Sequence, residues 1–221
     1  MLRFKSLNSA GALTTLTYVG STGDSNSTDV SPYSVSYHAS ARSGDLALAM
    51  FAMDQSAPTL STPSGWTLVG NGNSAEYPRM YVFAKVLDST DISTGSLTVT
   101  PSISEGFAAL ISIFRPDGTI GSFTPRNFVN DKGPNALSVS LSNSGATPLT
   151  IAVAFLSGRP NQDPVLTFSG ATTATDSSGS GTGTRTLGYI LYEVGDTPAS
   201  ATITGTDDGR QSLSAFYLDI A

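Results

Sequence analysis

The chain reads as an all-β protein, an antiparallel β-sandwich or jelly roll built from two internally repeated halves, and three observations predict this. First, only 13% of its 221 residues are charged. Ser, Thr, Gly and Asn carry the polar load, which suits strand faces and turns better than helix surfaces laced by i,i+4 ion pairs. Second, short apolar or alternating runs recur between Pro- and Gly-rich breakers, and none holds a 3.6-residue period with a cap signature. Third, segments recur at a spacing of about 105 residues, the mark of a structural unit used twice. Ser34-Val35-Ser36-Tyr37 returns as Ser138-Val139-Ser140-Leu141, and Leu46–Met50 returns as Leu149–Val153. Tyr81–Asp88 returns as Tyr189–Asp196, and Thr98-Val99-Thr100 returns as Thr202-Ile203-Thr204.

The strands expected in the first half are Leu13–Val19, Tyr33–His38, Leu46–Met53, Trp66–Gly70, Arg79–Val86, Ser96–Thr100 and Phe107–Phe114. Those of the second are Phe123–Val129, Ala136–Leu141, Leu149–Leu156, Val165–Ser169, Thr186–Val194, Ala201–Thr204 and Leu213–Ile220. Leu97-Val99 and Leu137-Val139-Leu141 alternate, so one face of each is buried. Leu46–Met53 and Ala108–Phe114 are nearly continuous apolar runs and read as central strands covered on both sides. Leu46–Met53 has helix-forming composition, but it is short, and its counterpart contains β-branched Ile151 and Val153, which favours strand for both. Gly20–Asp29 reads as a polar loop and Asp176–Thr184 as a flexible surface loop. The seam falls near Pro116–Gly121, dividing the chain into units 1–118 and 119–221. These either form separate sandwiches or pack as one domain.

Composition excludes several function classes. Seventeen acidic against eleven basic residues give a net charge of −6. Nucleic acid and anionic membrane surfaces both call for a positive patch, so neither is an expected partner. No apolar run nears the ~20 residues of a membrane-spanning helix, and Met1–Lys5 leads into polar residues, not into the apolar core of a signal peptide. With no cysteine, disulfides, thiolate metal sites and Cys catalysis are ruled out.

No residue grouping carries convincing chemistry. His38 is the single histidine and has no nucleophile-elbow context, so it reads as a strand-end side chain. Glu76, Glu105, Glu193 and Asp207-Asp208 are the pool for carboxylate catalysis. Asp207-Asp208-Gly209 looks like a hairpin turn, and Glu193 matches Lys85, which points to a solvent-facing position. Asp24–Asp29 lacks the glycine and terminal glutamate of a calcium loop. Neither metal nor cofactor is expected. Trp66, the only tryptophan, is either a stacking platform for a sugar or, as its apolar match Leu166 favours, a core residue. Tyr77 and Arg79 sit in a loop-like stretch, either as a contact surface of interface-prone residue types or, at least as well, as ordinary loop residues. Leu2-Arg3-Phe4-Lys5 alternates apolar and basic residues in an acidic chain, which reads equally as a docking arm or as a frayed terminus. Leu2, Arg3, Phe4, Lys5, Trp66, Tyr77 and Arg79 are therefore the candidate partner-contact residues.

Gly44-Asp45-Leu46, then Thr62-Pro63-Ser64-Gly65-Trp66-Thr67, then Tyr81-Val82-Phe83-Ala84-Lys85, followed by Ala108–Phe114 with Arg115, resembles a β-rich domain of phage and prophage structural proteins. The likeness covers about residues 40–116, and the second half lacks the Gly-Trp-Thr turn. It implies a non-enzymatic virion component, a capsid decoration (cement) protein or head fibre, and it brings no catalytic residues. The partners implied are capsid or tail structural proteins, with assembly into a homo-oligomer, a trimer being favoured. The location implied is the virion surface, reached from the host cytoplasm without a signal peptide. The alternative is a tail-fibre, receptor- or carbohydrate-binding module that takes a host surface glycan. A carboxylate glycosidase is a distant third.

Overall fold

The structure is a computed structural model. It describes residues 13, 15–53, 59–72, 79–133, 137–141, 149–158, 165–169, 175–179, 187–194, 200–204 and 211–221. The first half contributes β1 (Leu16–Val30), β2 (Tyr33–Ser36), β3 (Leu46–Met53), β4 (Thr67–Gly72), β5 (Arg79–Val86), a short helix α1 (Ser89–Thr94), β6 (Ser96–Val99) and β7 (Glu105–Pro116). The second contributes β8 (Phe123–Gly133), β9 (Ser138–Ser140), β10 (Leu149–Gly158), β11 (Val165–Ser169), β12 (Thr175–Gly179), β13 (Leu187–Val194), β14 (Ser200–Thr204) and β15 (Gln211–Ile220). The fold is the all-β antiparallel sandwich the sequence predicts.

Three expectations are corrected. Gly20–Asp29 is not a loop: β1 runs through it, because its backbone is laddered to β7 from Gly20↔Ile113 to Asn26↔Phe107. Part of Asp176–Thr184 is also strand, since β12 pairs with β13 over Thr175–Gly179. There is a helix with a cap signature. The Asp88 carboxylate accepts the Thr90 and Asp91 N–H groups at 2.7 and 2.9 Å, and Asp91 returns the contact by accepting from the Asp88 N–H at 2.8 Å. That reciprocal arrangement is a capping box. No residue of α1 is fully buried, so no apolar period announces it.

Each half folds into a large and a small sheet. The large sheets run β1-β7-β3-β5-β4 and, read from the corresponding strand, β8-β15-β10-β13-β12. In both, the first strand of the half lies beside the last and the third strand lies inside, which is jelly-roll order. The small sheets are β2-β6 and β9-β14-β11. Registers follow the sequence match in two places. Ser34↔Thr98 corresponds to Ser138↔Thr202, and Leu46↔Phe114 corresponds to Leu149↔Ile220. They differ in a third: Val86 pairs with Leu46, whereas its match Val194 pairs with Ile151, not Leu149. A slip of two residues leaves every side chain on its original face, so the sandwich tolerates it.

The two large sheets pack against each other. Leu46, Leu48, Met50 and Ala52 of β3 share one apolar cluster with Leu149, Ile151, Val153 and Phe155 of β10 and with Phe216, Leu218 and Ile220 of β15. The alternate residues of β3, Ala47, Ala49, Phe51 and Met53, face the other way and pack on Tyr33, Val35, Leu97 and Val99 of the first small sheet. In the second half Ala152, Ala154, Ala215 and Tyr217 pack likewise on Val139. The result is four stacked layers with a large sheet in each central position. This is why every residue from Leu46 to Met53 is 0% exposed: an inner strand is apolar on both faces because both faces are covered. Among the described residues the strands β1–β7 hydrogen-bond to one another, as do β8–β15, and the two large sheets share one apolar core.

Across that central interface β1 neighbours β12 and β4 neighbours β8, while β7 neighbours β13 and β5 neighbours β15. Exchanging the halves turns each contact into its partner, the relation of a two-fold isologous interface. The approach is close at the β4–β8 edge. Gly70 leaves no room for a Cβ, since one placed there would lie 2.2 Å from Phe128 Cγ.

Candidate interaction surfaces

Asp45, Lys85 and Arg115 lie at one end of the first sandwich, where each is held in an ion pair. Asp45 opens β3 with its carboxylate buried. Arg115 near the end of β7 grips it with two parallel bonds, Nε to Oδ1 at 3.0 Å and Nη2 to Oδ2 at 2.8 Å. The same Nη2 donates to the Ser40 carbonyl at 2.7 Å, and the Arg42 N–H donates to Asp45 at 2.9 Å. Forked pairing of this kind fixes orientation as well as charge, and it holds the Arg115 guanidinium above its ordinary pKa. Gly44, at φ +92°, supplies the left-handed backbone that starts the strand in this place.

Lys85 makes a second brace. Its ammonium lies 2.7 Å from Asp91 and 3.3 Å from Asp88, with 15% of its side chain exposed. Burial alone would lower its pKa, but the Asp91 and Asp88 contacts outweigh that and raise it. The expectation of a solvent-facing position at Lys85 is therefore corrected: the charge is tolerated because α1 supplies its counter-ions. Asp88 moves in the opposite sense, below the usual carboxylate range, chiefly through the Asp91 backbone N–H. Beside them the Tyr37 phenol is pushed well above its ordinary value, first by burial and then by Asp91 and Asp88.

The candidate contact residues divide as follows. Leu2, Arg3, Phe4, Lys5 and Tyr77 lie outside the described residues, as do the side chains of Glu76, Glu105, Glu193, Asp207 and Asp208. Trp66 is 8% exposed and belongs to the core cluster beneath the first small sheet. The core reading favoured by its match Leu166 therefore holds and the stacking platform does not; the turn before it is closed by the Trp66 N–H donating to the Pro63 carbonyl at 3.1 Å. Arg79 opens β5 and places its guanidinium 5.3 Å from the Tyr81 ring centroid, a cation–π contact within the same strand. His38 lies just past β2, half-exposed, with Nδ1 accepting the Ser40 N–H at 3.2 Å. Among the described residues, Trp66, Arg79 and His38 are not brought together into one site.

Two features had no signal in sequence patterning. A cleft of about 360 Å³ at the seam is lined by Arg42, Asp45, Arg115 and Thr119, but Arg115 already serves Asp45. A groove of about 480 Å³ runs beside β6 and is lined by Thr59, Ser61, Thr62, Pro63 and Thr98 through Ser102, with no charged residue. The outer face of the first small sheet is likewise neutral. Thr98 donates to Ser34 at 3.1 Å, and Ser34 to Ser96 at 3.4 Å. On the second small sheet, register sets Ser140, Ser200 and Ser169 in one cross-strand row and Ser138, Thr202 and Thr167 in the next. Among the described residues no group of three His, Asp or Glu is placed to hold a metal ion, and no helix is long and apolar enough to cross a membrane. No family model, curated protein or solved structure matches the chain.

Proposed function

We propose that the protein is a non-enzymatic structural component of a bacteriophage virion, a capsid decoration (cement) or head-fibre subunit that binds the particle surface. One observation carries the reading: the charged residues of the phage-like motif, Asp45, Lys85 and Arg115, are all engaged in ion pairs within the fold. They serve a scaffold, which is what the likeness implies. The neutral hydroxyl-bearing faces at both ends of the stack favour the same reading, since many copies making modest contacts bind by avidity. The two halves are, on this reading, one sandwich unit used twice, which fits their common strand order and two-fold packing. The partners are capsid or tail structural proteins, and assembly is homo-oligomeric, with a trimer favoured. Burial of Trp66 takes away one of the two aromatics, Trp66 and Tyr77, that a glycan-binding reading would use.

Mass spectrometry and single-particle imaging of purified particles test this, with the protein labelled. Stoichiometric density on the capsid lattice is the expected result. Density at a tail tip alone would support an adhesin instead, and absence from particles would overturn both.

A further inference from the structure

The two small sheets differ by one strand. In the second half β14 is flanked on both sides: by β9, and by β11 through five consecutive pairs from Val165↔Thr204 to Ser169↔Ser200. In the first half the matching strand, β6, pairs with β2. On its other side, among the described residues, it meets only the isolated bridge Leu60↔Pro101 just beyond its end. The bridge is pinned by the Ser102 N–H donating to the Thr59 carbonyl at 2.9 Å and by the Thr59 N–H donating to Ser102 Oγ at 2.9 Å. Past it the chain from Ser61 to Pro63 parts from β6, and the 480 Å³ groove occupies the space.

We infer that this groove is a β-augmentation site: it receives one short extended peptide strand of a partner protein, laid antiparallel to β6 where β11 lies in the other half. The second half shows what fills such a place, namely a strand with alternating apolar residues, Leu166 and Phe168, set opposite Ile203 and Ala201. The size agrees. A residue in a stacked sheet takes up roughly 160 Å³, from the strand rise, the strand spacing and the sheet spacing, so the groove holds about three. The lining agrees as well. It is uncharged, so it selects a neutral segment, and the backbone edge of β6 supplies the main-chain pairing from which strand addition draws its affinity. Ile103, next in the chain after Ser102, is a large apolar side chain left 50% exposed. The inference rests on the sheet edge alone and stands apart from the virion assignment.

The test is a titration of the ¹⁵N-labelled full chain with the acetylated, amidated peptide Val-Leu-Thr-Phe-Ser, which copies Val165–Ser169. The expected result is saturable amide shifts confined to Thr59–Thr62 and Leu97–Ser102. Thr100→Trp, which fills the groove from an exposed position, should weaken binding about tenfold. An amide spectrum of Thr100→Trp unchanged away from the groove is expected and checks that the fold is kept. No saturable shift, shifts centred on another surface, or unchanged affinity in Thr100→Trp would each overturn the proposal. So would shifts at these amides with maltoheptaose and none with the peptide, which would make the groove a sugar site.

Discussion

The two halves lay their strands down in one order but are pinned differently. The first closes with Asp45 on β3's approach and Arg115 on β7. The residue that matches Asp45 is Pro148, which has no charge to offer. The second half instead uses Arg126 of β8, paired with Asp219 of β15, which also accepts a 2.9 Å bond from Thr150 of β10. The Asp219 contact raises the Arg126 pKa as Asp45 does for Arg115. What the halves share is the alternation of apolar residues, and what they exchange is the ionic brace. The comparison teaches that burial specifies the sandwich and that a carboxylate–guanidinium pair can secure it from more than one corner.

Changes in the common core should have the largest effect, and should be felt equally by both halves. Phe155 and Phe216 stack at 6.3 Å in the central cluster. Phe155→Ala and Phe216→Ala are each expected to cost about 3–5 kcal/mol, measured by urea denaturation. Next comes the close approach of β4 to β8. Gly70→Ala drives a methyl group into the root of the Phe128 ring and should cost about 1–3 kcal/mol as overpacking. The same substitution at Gly44, where a Cβ meets nothing, tests backbone strain alone.

The braces sharpen the comparison of the halves. Arg115→Ala leaves the buried Asp45 carboxylate without its forked partner, and Arg126→Ala does the same to Asp219. Each should cost about 1–3 kcal/mol, and similar values would show that the two pins are equivalent. A pH series separates the halves further. The folded-state pKa of Tyr37 is raised, so its contribution is complete below the unfolded tyrosine value of about 10 and is lost as pH rises through the folded one. Tyr217, raised by burial against the opposing pull of Arg126, and Lys85 act in the same sense. Stability should therefore fall on the alkaline side, and Tyr37→Phe should flatten part of that fall in denaturation midpoints taken between about pH 8 and pH 11. The smallest effects belong to the outer faces, where Ser34→Ala and Ser138→Ala should stay within about 0.5 kcal/mol.

Much of this fold was legible in residue patterning. Leu46–Met53 and Ala108–Phe114 read as doubly covered strands because no polar residue alternates through the first and only Ser112 interrupts the second. Ser112 is buried and hydrogen-bonded to Ser21 at 2.7 Å, so even that exception is satisfied. The course of β1 through Gly20–Asp29 was not legible, because edge pairing depends on backbone groups that polar and apolar residues carry alike. Helix α1 was missed although Asp88 and Asp91 stand at capping-box spacing, since a helix with no buried residue leaves no periodic stripe. At the candidate sites, Trp66 was read correctly where its apolar match was weighed and wrongly where its residue type suggested a platform. The groove beside β6 could not be foreseen, because it arises from a strand that is full in one half and reduced to a bridge in the other.

The two sandwiches should unfold as one cooperative body, because their large sheets share a common core. Trp66 reports on the first half alone, being the single tryptophan and 8% exposed, whereas far-ultraviolet circular dichroism reports on the strands of both. Urea denaturation followed by the two signals together is the most direct test. One transition with the same midpoint by both probes is the predicted result. A biphasic dichroism curve with Trp66 fluorescence following only one of its phases would contradict it.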